Sequence, residues 1–381
     1  MGDTAVQQIA DRYGLTRDNF ILDPIVDFDC FARDDIAVQD IAEGLDIDLV
    51  TGLAPKRLVW GPYGGGKTHM LMKTTKELAN LTAVKSIRIE CPDLNRKSRF
   101  HDLYREGIMR GMGESFVVGL MEEVVQNVGF RKADELRAEL KNWFGDEEMG
   151  KAAEQLFNPN FERLKLWRWI SGVSMSRADL DQLGQTQDLT QAEAARLADL
   201  IVMLGKLLKR LRNETLVLIL DEMERLRTIG PETLTTFMSG FSHLVDQNQR
   251  SVSILIGSSA ALETEMVDIF SANSPVMSRL GEDVKIEISA LPTENDVDRF
   301  VEQVLQFVRK DDFDIAAVIK AVKIDETIQE KFYPFSDEAL GAIKAKLNSL
   351  TPRSITMQLT RALGRAHRKE LPVITTDCIS T

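Results

Sequence analysis

A glycine-rich stretch at residues 61–69 has the composition of a nucleotide phosphate loop. It fits the pattern G-x-x-x-x-G-K-[ST] from Gly61 to Thr68. Glycines let successive backbone N–H groups turn inward at a helix N-terminus, where the helix dipole favours an anion. Lys67 is predicted to reach the β- and γ-phosphates, and the Thr68 hydroxyl to hold Mg²⁺. The residues expected to line the nucleotide are Gly61, Pro62, Tyr63, Gly64, Gly65, Gly66, Lys67, Thr68 and His69.

Two acids follow a continuous apolar run at 216–220. Five consecutive apolar residues, rich in branched side chains, predict a strand buried on both faces of a parallel sheet. Asp221 and Glu222 then lie at the edge where open parallel sheets bind ligands. Asp221 is predicted to hold Mg²⁺ through water, and Glu222 to orient the attacking water as general base. The alternative is a turn after the strand that happens to be acidic.

A third apolar run, at 252–256, ends in Gly257, Ser258 and Ser259. Hydroxyls at the end of a neighbouring strand can hold a γ-phosphate or the attacking water, and Ser258 is favoured over Ser259. The alternative is simple turn chemistry, for which glycine and serine are common.

The elements that must position these residues are readable from hydrophobic patterning. A short strand at 58–60 precedes the phosphate loop and a helix at 70–79 follows it. A second strand is predicted at 86–90, a helical pattern at 100–127 and a long helix at 191–212. The broad region at about 100–190 is too long for one loop and predicts a helical insertion. An edge strand is expected at 285–289.

The remainder, from residue 291 onward, predicts a small helical domain. Thr293 and Ser336 are expected to cap two helices, and Thr351 with Pro352 to start the last one. In each helix, apolar residues spaced by three and four predict one buried face.

Composition limits the class of protein. The chain has 381 residues, 44% of them hydrophobic, and a formal net charge of −12. This length permits two or three compact units.

The net acidity argues against a protein whose whole surface binds nucleic acid, although it permits local basic faces. No apolar run approaches the ~18 residues that span a bilayer, so no membrane contact is expected. Three scattered cysteines suit a reducing compartment and a cytoplasmic location.

The order of these parts resembles the base of an AAA+ ATPase: the phosphate loop, Asp221 with Glu222, Ser258, and then Arg279 before the last strand. The segment 31–36 and the region 167–226 look like the origin-recognition and transposition-regulator branch, and also resemble ATP-binding proteins of BREX-type phage-defence systems. The resemblance implies an α/β fold: a P-loop NTPase (AAA+) parallel sheet flanked by helices, with a C-terminal all-helical lid domain. It also implies that the 252–256 strand lies between the phosphate-loop strand and the Asp221 strand.

The resemblance assigns roles to two arginines. Arg279 would be an arginine finger that reaches the nucleotide of an adjacent subunit in a homo-oligomer; the alternative is a surface arginine that pairs with Glu282 or Asp283. Arg353, in the first turn of the last helix, would touch the γ-phosphate and link nucleotide state to lid angle. Its alternative is an exposed arginine, which the helix dipole disfavours only slightly.

The predicted domains are an N-terminal arm and adenine-covering segment at 1–57, the nucleotide-binding base at 58–290 with its insertion, and the lid at 291–381. For the arm, packing on the core is an equal alternative to covering adenine. Basic runs at 96–99 and at Arg361, Arg365, Arg368 and Lys369 are candidates for contact with nucleic-acid phosphates, or else solvated basic faces.

The sequence therefore predicts a Mg²⁺-dependent ATPase that acts as an oligomerising, nucleotide-gated switch. It is expected to engage DNA and to recruit or regulate an effector protein, with phage defence as one setting. The alternative is a regulatory or remodelling ATPase that contacts only proteins, which the net acidity permits.

Overall fold

The computed structural model describes residues 8–30, 41, 43–44, 47, 51, 56–81, 83–129, 132–247, 251–262, 264–265 and 285–379. Arg279 and the segment 31–36 lie outside the described residues, so their expected roles remain predictions.

Five strands form one sheet in the order β2-β3-β4-β1-β5. The strands are β1 (Lys56–Gly61), β2 (Val84–Glu90), β3 (Thr215–Asp221), β4 (Val252–Ser259) and β5 (Lys285–Glu287). The pairs β2 with β3 and β3 with β4 are parallel, and Glu90 lies opposite Asp221. As expected, β4 lies between β1 and β3. The predicted fold class, an α/β sheet flanked by helices with a helical C-terminal region, is confirmed.

The central strand β3 is buried along its whole length, as its apolar run predicts. Leu218 lies opposite Ile87 of β2 and Ile254 of β4, and all three belong to one large hydrophobic core. Strands that are covered on both faces carry continuous apolar sequence because neither side meets water. This core is therefore what fixes the position of the acids that follow β3.

The chain divides into two compact units. The first, here the helical unit, comprises Met1–Val38, Gly61–Lys73 and Glu287–Thr381. The second, here the sheet unit, comprises Gln39–Trp60 and Thr74–Ile286. The phosphate loop and the first half of the helix after it thus group with the C-terminal helices.

The sheet unit is rich in helices between β2 and β4. A continuous run consists of Phe100–Asp102, the π-helical stretch Leu103–Met109, and Arg110–Met112. The other helices are Glu114–Val128, Ala133–Phe144, Glu147–Glu154, Arg163–Ile170, Arg177–Leu183, Ala194–Arg212 and Pro231–Gln247. Short 3₁₀ helices lie at Gln155–Phe157 and Met223–Thr228.

Several boundaries differ from the sequence prediction: the helix expected at 70–79 begins at Lys67, for example, and the edge strand expected at 285–289 ends at Glu287. Two further differences change the local structure. The helical pattern at 100–127 is two helices, because Gly113 takes a left-handed φ of 77° between them. Strand β4 continues through Ser259, so Ser258 lies within a buried strand and not in a turn after it.

The helical unit contains the predicted C-terminal helices. Its helices are Lys67–Ala79 (in its first half), Glu294–Val308, Ile315–Ala321, Asp337–Lys346 and Pro352–Arg368, with 3₁₀ turns at Glu330–Phe332 and Thr376–Cys378. Thr293, Ser336 and Thr351 cap their helices through side-chain oxygens that accept backbone N–H groups, as predicted. These caps satisfy donors that a helix start otherwise leaves without partners.

Within the described parts of the chain, no helix combines the length and apolar character needed to cross a bilayer.

We predict that Leu218→Ala lowers the free energy of unfolding of the sheet unit by about 2–5 kcal/mol, because a buried leucine is replaced by a cavity. Urea unfolding followed by circular dichroism measures the change. Leu164 is the matched control: it is 52% exposed, and its replacement by alanine should change stability by about 0.5 kcal/mol or less. Equal effects of the two substitutions would contradict the assignment of β3 to the core.

Candidate functional site

The phosphate loop has the backbone geometry that its glycines predict. Gly64 and Gly66 take φ values of 76° and 96°, a backbone region that L-residues other than glycine rarely adopt. The Gly65 N–H donates to the Pro62 carbonyl at 3.1 Å, which closes a tight turn, and the Met70 N–H donates to the Gly66 carbonyl at 2.9 Å, which starts the helix. The loop therefore ends at a helix N-terminus, a backbone arrangement suited to an anion.

Lys67 is buried within this loop. Its Nζ donates hydrogen bonds to the carbonyls of Gly61 at 3.0 Å and Pro62 at 2.8 Å. These carbonyls hold the ammonium group at the loop, where its positive charge adds to that of the helix dipole. Thr68, the expected Mg²⁺ ligand, follows directly and is partly exposed.

His69 is buried in the first turn of the same helix. Burial lowers the pKa of its imidazole, against an opposing effect of the backbone at Phe28 and Asp27. The neutral ring therefore packs next to residues of the N-terminal segment. A contact of His69 with nucleotide remains a prediction.

Arg353 lies against the phosphate loop, inside the same unit. Its backbone N–H donates to the Gly64 carbonyl at 3.3 Å. Its Nη1 donates to the Tyr63 hydroxyl at 2.8 Å, and the guanidinium carbon lies 4.9 Å from the centre of the Tyr63 ring. The structure thus brings together the loop and the arginine that were expected to share a nucleotide.

Asp221 ends β3 and is almost fully buried, with 2% exposure. Its Oδ2 accepts a hydrogen bond from Arg88 Nη2 of β2 at 2.8 Å, and its Oδ1 accepts one from the Glu222 N–H at 2.9 Å. A buried carboxylate needs such partners to stay ionised. Each oxygen keeps a further lone pair, which is compatible with the expected role of holding a metal through water.

Glu222 takes a left-handed backbone conformation, with a φ of 59°. Its carboxylate pairs with Arg225, which also binds Glu90 at 3.0 Å, Asp93 at 3.3 Å and the Cys91 carbonyl. Burial raises the pKa of Glu222 above its usual range, while the Arg225 charge lowers it. The proposed base is therefore held by a cation that it shares with two other acids.

Ser258 and Ser259 differ in their surroundings. The Ser258 hydroxyl is fully buried and has no hydrogen-bond partner among the described residues. The Ser259 N–H donates to Glu224 Oε2 at 2.8 Å. A buried hydroxyl without a partner is uncommon because it loses its hydration, so Ser258 is the better of the two candidates for contact with water or phosphate.

Three features of these clusters were not predicted from sequence: the Arg88 pair with Asp221, the Arg225 pair with Glu222, and the contact of Tyr63 with Arg353. A signal existed for Arg88, which places a charge between the apolar residues Ile87 and Ile89 of the strand. A charged side chain at such a position commonly has a buried partner. Across the described ranges, no three or more His, Cys, Asp or Glu side chains group into a metal site.

No protein-family model matches the chain, and no curated protein sequence matches it. Solved structures are similar at low identity. The ADP form of the ORC2 protein of Aeropyrum pernix has a TM-score of 0.47 and 14% identity, over 90% of this chain and 66% of its own. Cdc6p of Pyrobaculum aerophilum has a TM-score of 0.44 and 13% identity, over 89% and 63%. Drosophila ORC bound to DNA has a TM-score of 0.44 and 11% identity, over 91% and 59%. The chain thus spans a little under two thirds of these structures' chains.

We predict that Gly64→Ala destabilises the helical unit by about 1–2 kcal/mol, since alanine is strained at this φ. The new Cβ would also lie 2.8 Å from the Arg353 Cβ. Gly341→Ala is the matched control in the same unit: nothing lies within 4 Å of its added Cβ, and within a helix alanine should stabilise by about 0.5–1 kcal/mol. Thermal melts of the two variants should shift in opposite directions; shifts of the same sign would contradict the loop geometry.

Proposed function

We propose that this protein is a Mg²⁺-dependent ATPase of the AAA+ type. The observation that carries the proposal is the phosphate loop itself, with Lys67 buried at its carbonyls and Arg353 in contact with Tyr63 and Gly64. Two cations and a helix N-terminus at one glycine loop form a site for a strongly anionic group. A triphosphate is the ligand that the G-x-x-x-x-G-K-[ST] pattern favours.

The proposed reaction is attack of water on the γ-phosphorus, with cleavage of the bond to the bridging oxygen. Glu222 would accept the proton of the water, and Lys67 would offset negative charge on the β- and γ-phosphates. Ser258 would orient the water or the γ-phosphate through its buried hydroxyl. When bound, Mg²⁺ supplies positive charge beside the phosphate oxygens; Thr68 and Asp221 would hold it, because Mg²⁺ needs few protein ligands besides phosphates and waters.

Arg225 supports this role of Glu222. A general base must be ionised before it accepts a proton, and the burial of Glu222 opposes ionisation. The charge of Arg225 acts in the other direction, so the pair keeps the carboxylate available as an acceptor.

We also propose a homo-oligomer in which Arg279 contacts the nucleotide of the adjacent subunit, and in which Arg353 senses the γ-phosphate. A guanidinium offers planar donors to the charge that develops on the transferred group. The oligomer would act as a nucleotide-gated switch that engages DNA and recruits an effector protein, with phage defence as one setting. For DNA contact, the support is the basic run at 96–99, in which Arg96, Lys97 and Arg99 are exposed. The lid-helix set, Arg361, Arg365, Arg368 and Lys369, is the second candidate.

Two substitutions separate binding from chemistry. Lys67→Ala should abolish ATP binding in calorimetry, because it removes the buried cation of the loop. Glu222→Gln should retain ATP but slow hydrolysis by about 10²–10⁴-fold, since the amide cannot accept the proton. Phosphate release measures the rate.

Glu232→Gln is the matched control for the second substitution, because Glu232 is an exposed acid in the first turn of the helix Pro231–Gln247. Its rate should equal that of the wild type. Unchanged ATP affinity in Lys67→Ala would refute the nucleotide site, whereas full turnover in Glu222→Gln would refute only the role of the base.

DNA contact is tested by salt dependence. Binding to duplex DNA in the presence of an ATP analogue should weaken steeply as the salt concentration rises. The double variant Arg96→Ala, Lys97→Ala should reduce the slope of log affinity against log salt by about 1 to 2. The reason is that each lost phosphate contact lowers the slope by about 0.9. Fluorescence anisotropy measures both. Absence of binding at low salt would favour the alternative, an ATPase that contacts only proteins.

A further inference from the structure

Tyr63 is an unusual residue in its loop because it is large, aromatic and 70% exposed. The phosphate-loop pattern leaves its position unspecified, so phosphate binding alone does not explain an aromatic ring there. Its hydroxyl accepts a hydrogen bond from Arg353 Nη1 at 2.8 Å, and its ring faces the same guanidinium at 4.9 Å. The hydrogen bond and the ring contact of Tyr63 thus both go to one side chain.

The backbone fixes the two residues next to each other. The Arg353 N–H donates to the Gly64 carbonyl at 3.3 Å, and the space beside the Gly64 Cα is filled by the Arg353 Cβ. Pro352 also lies close to Gly66: its Cγ is 4.0 Å from the position that a Cβ added to Gly66 would occupy. The start of the lid helix, Pro352–Arg368, thus lies directly on the phosphate loop, and the Arg353 side chain extends from this point of contact.

The guanidinium has no carboxylate partner within the described part of the chain, since its partners there are the phenol oxygen and the ring. A surface cation–π contact and one neutral hydrogen bond together bias an equilibrium on the order of tenfold. That is enough to select one orientation of a long side chain but too little to compete with a phosphate, whose hydrogen bonds to arginine are charge-assisted. The charge is therefore oriented without being neutralised.

We propose that Tyr63 is a positioning residue that holds the Arg353 guanidinium at the phosphate loop and thereby sets the preference of the site for nucleoside triphosphate over diphosphate. The inference rests on the proposed nucleotide site. An arginine side chain that moves freely in solvent loses rotamer freedom when it binds a phosphate. Because Tyr63 already holds the Arg353 side chain in one orientation, binding of the phosphate costs less of this conformational entropy. The γ-phosphate, which only the triphosphate carries, gains from this preorganisation.

The test measures dissociation constants for ADP and for a non-hydrolysable ATP analogue by calorimetry in the wild type, Tyr63→Phe, Tyr63→Ala, Arg353→Ala and the double variant Tyr63→Ala, Arg353→Ala. Arg353→Ala should lower the preference for the ATP analogue. Tyr63→Ala should lower it about three- to tenfold in the same direction, with Tyr63→Phe between, because the ring contact remains. ADP affinity should stay within about twofold.

The decisive comparison is the cycle formed by the two alanine substitutions. If Tyr63 acts through Arg353, Tyr63→Ala has no further effect in the Arg353→Ala background. Lys320→Ala is the control for loss of a cation: Lys320 is exposed in the same unit and should leave both constants unchanged. Because Tyr63 is exposed, melting temperatures should remain close to that of the wild type.

Three results would overturn the inference. The first is that the two substitutions act independently, and the second is that Tyr63→Ala leaves the preference for the ATP analogue over ADP unchanged. The third is that Tyr63→Ala raises this preference, which would mean that Tyr63 keeps Arg353 away from the nucleotide. A wild type that binds neither nucleotide would instead overturn the proposed function. The two failures are therefore distinguishable in one set of measurements.

Discussion

The buried carboxylate of Asp221 is the constraint on which the acidic cluster depends. With 2% exposure, it has lost nearly all contact with water, and an ionised group in that position requires charge and hydrogen bonds from the protein. Arg88 supplies the charge from β2, and the Glu222 N–H supplies a donor from the next residue. Because removal of one partner leaves an uncompensated buried charge, the position of the Asp221 carboxylate depends on the sheet register that places Arg88 beside it.

The turn after Asp221 follows from the same requirement. Glu222 adopts a left-handed conformation, with its N–H directed back to the Asp221 carboxylate, and the 3₁₀ helix Met223–Thr228 begins at once. Two successive side chains of that helix then reach opposite neighbours of the central strand: Glu224 binds the backbone at the end of β4, and Arg225 binds acids at the end of β2. One short turn therefore connects three strand ends, and it determines where the Glu222 carboxylate lies.

Local patterns in the sequence were sufficient for much of this structure. The phosphate loop, the strand before Asp221 and the caps at Thr293, Ser336 and Thr351 are each encoded within about ten residues, and all were predicted. The pairs that complete the two clusters are not local: Arg88 and Asp221 are 133 positions apart, and Tyr63 and Arg353 are 290 apart. Their contacts depend on strand register and helix packing, which no short window of sequence contains. Ser258 was identified, but its place inside β4 depends on pairing with β3.

Because Glu224 and Arg225 contact strands on opposite sides of β3, they also limit insertions and deletions in the segment after β3. Most connections between secondary-structure elements accept inserted or deleted residues, because their backbones face solvent and their side chains act independently. A single added residue after β3 would rotate the 3₁₀ helix by about a third of a turn and direct both side chains away from the strands they bind. We therefore expect natural length variation to be excluded from residues 222–228, in contrast to ordinary surface loops.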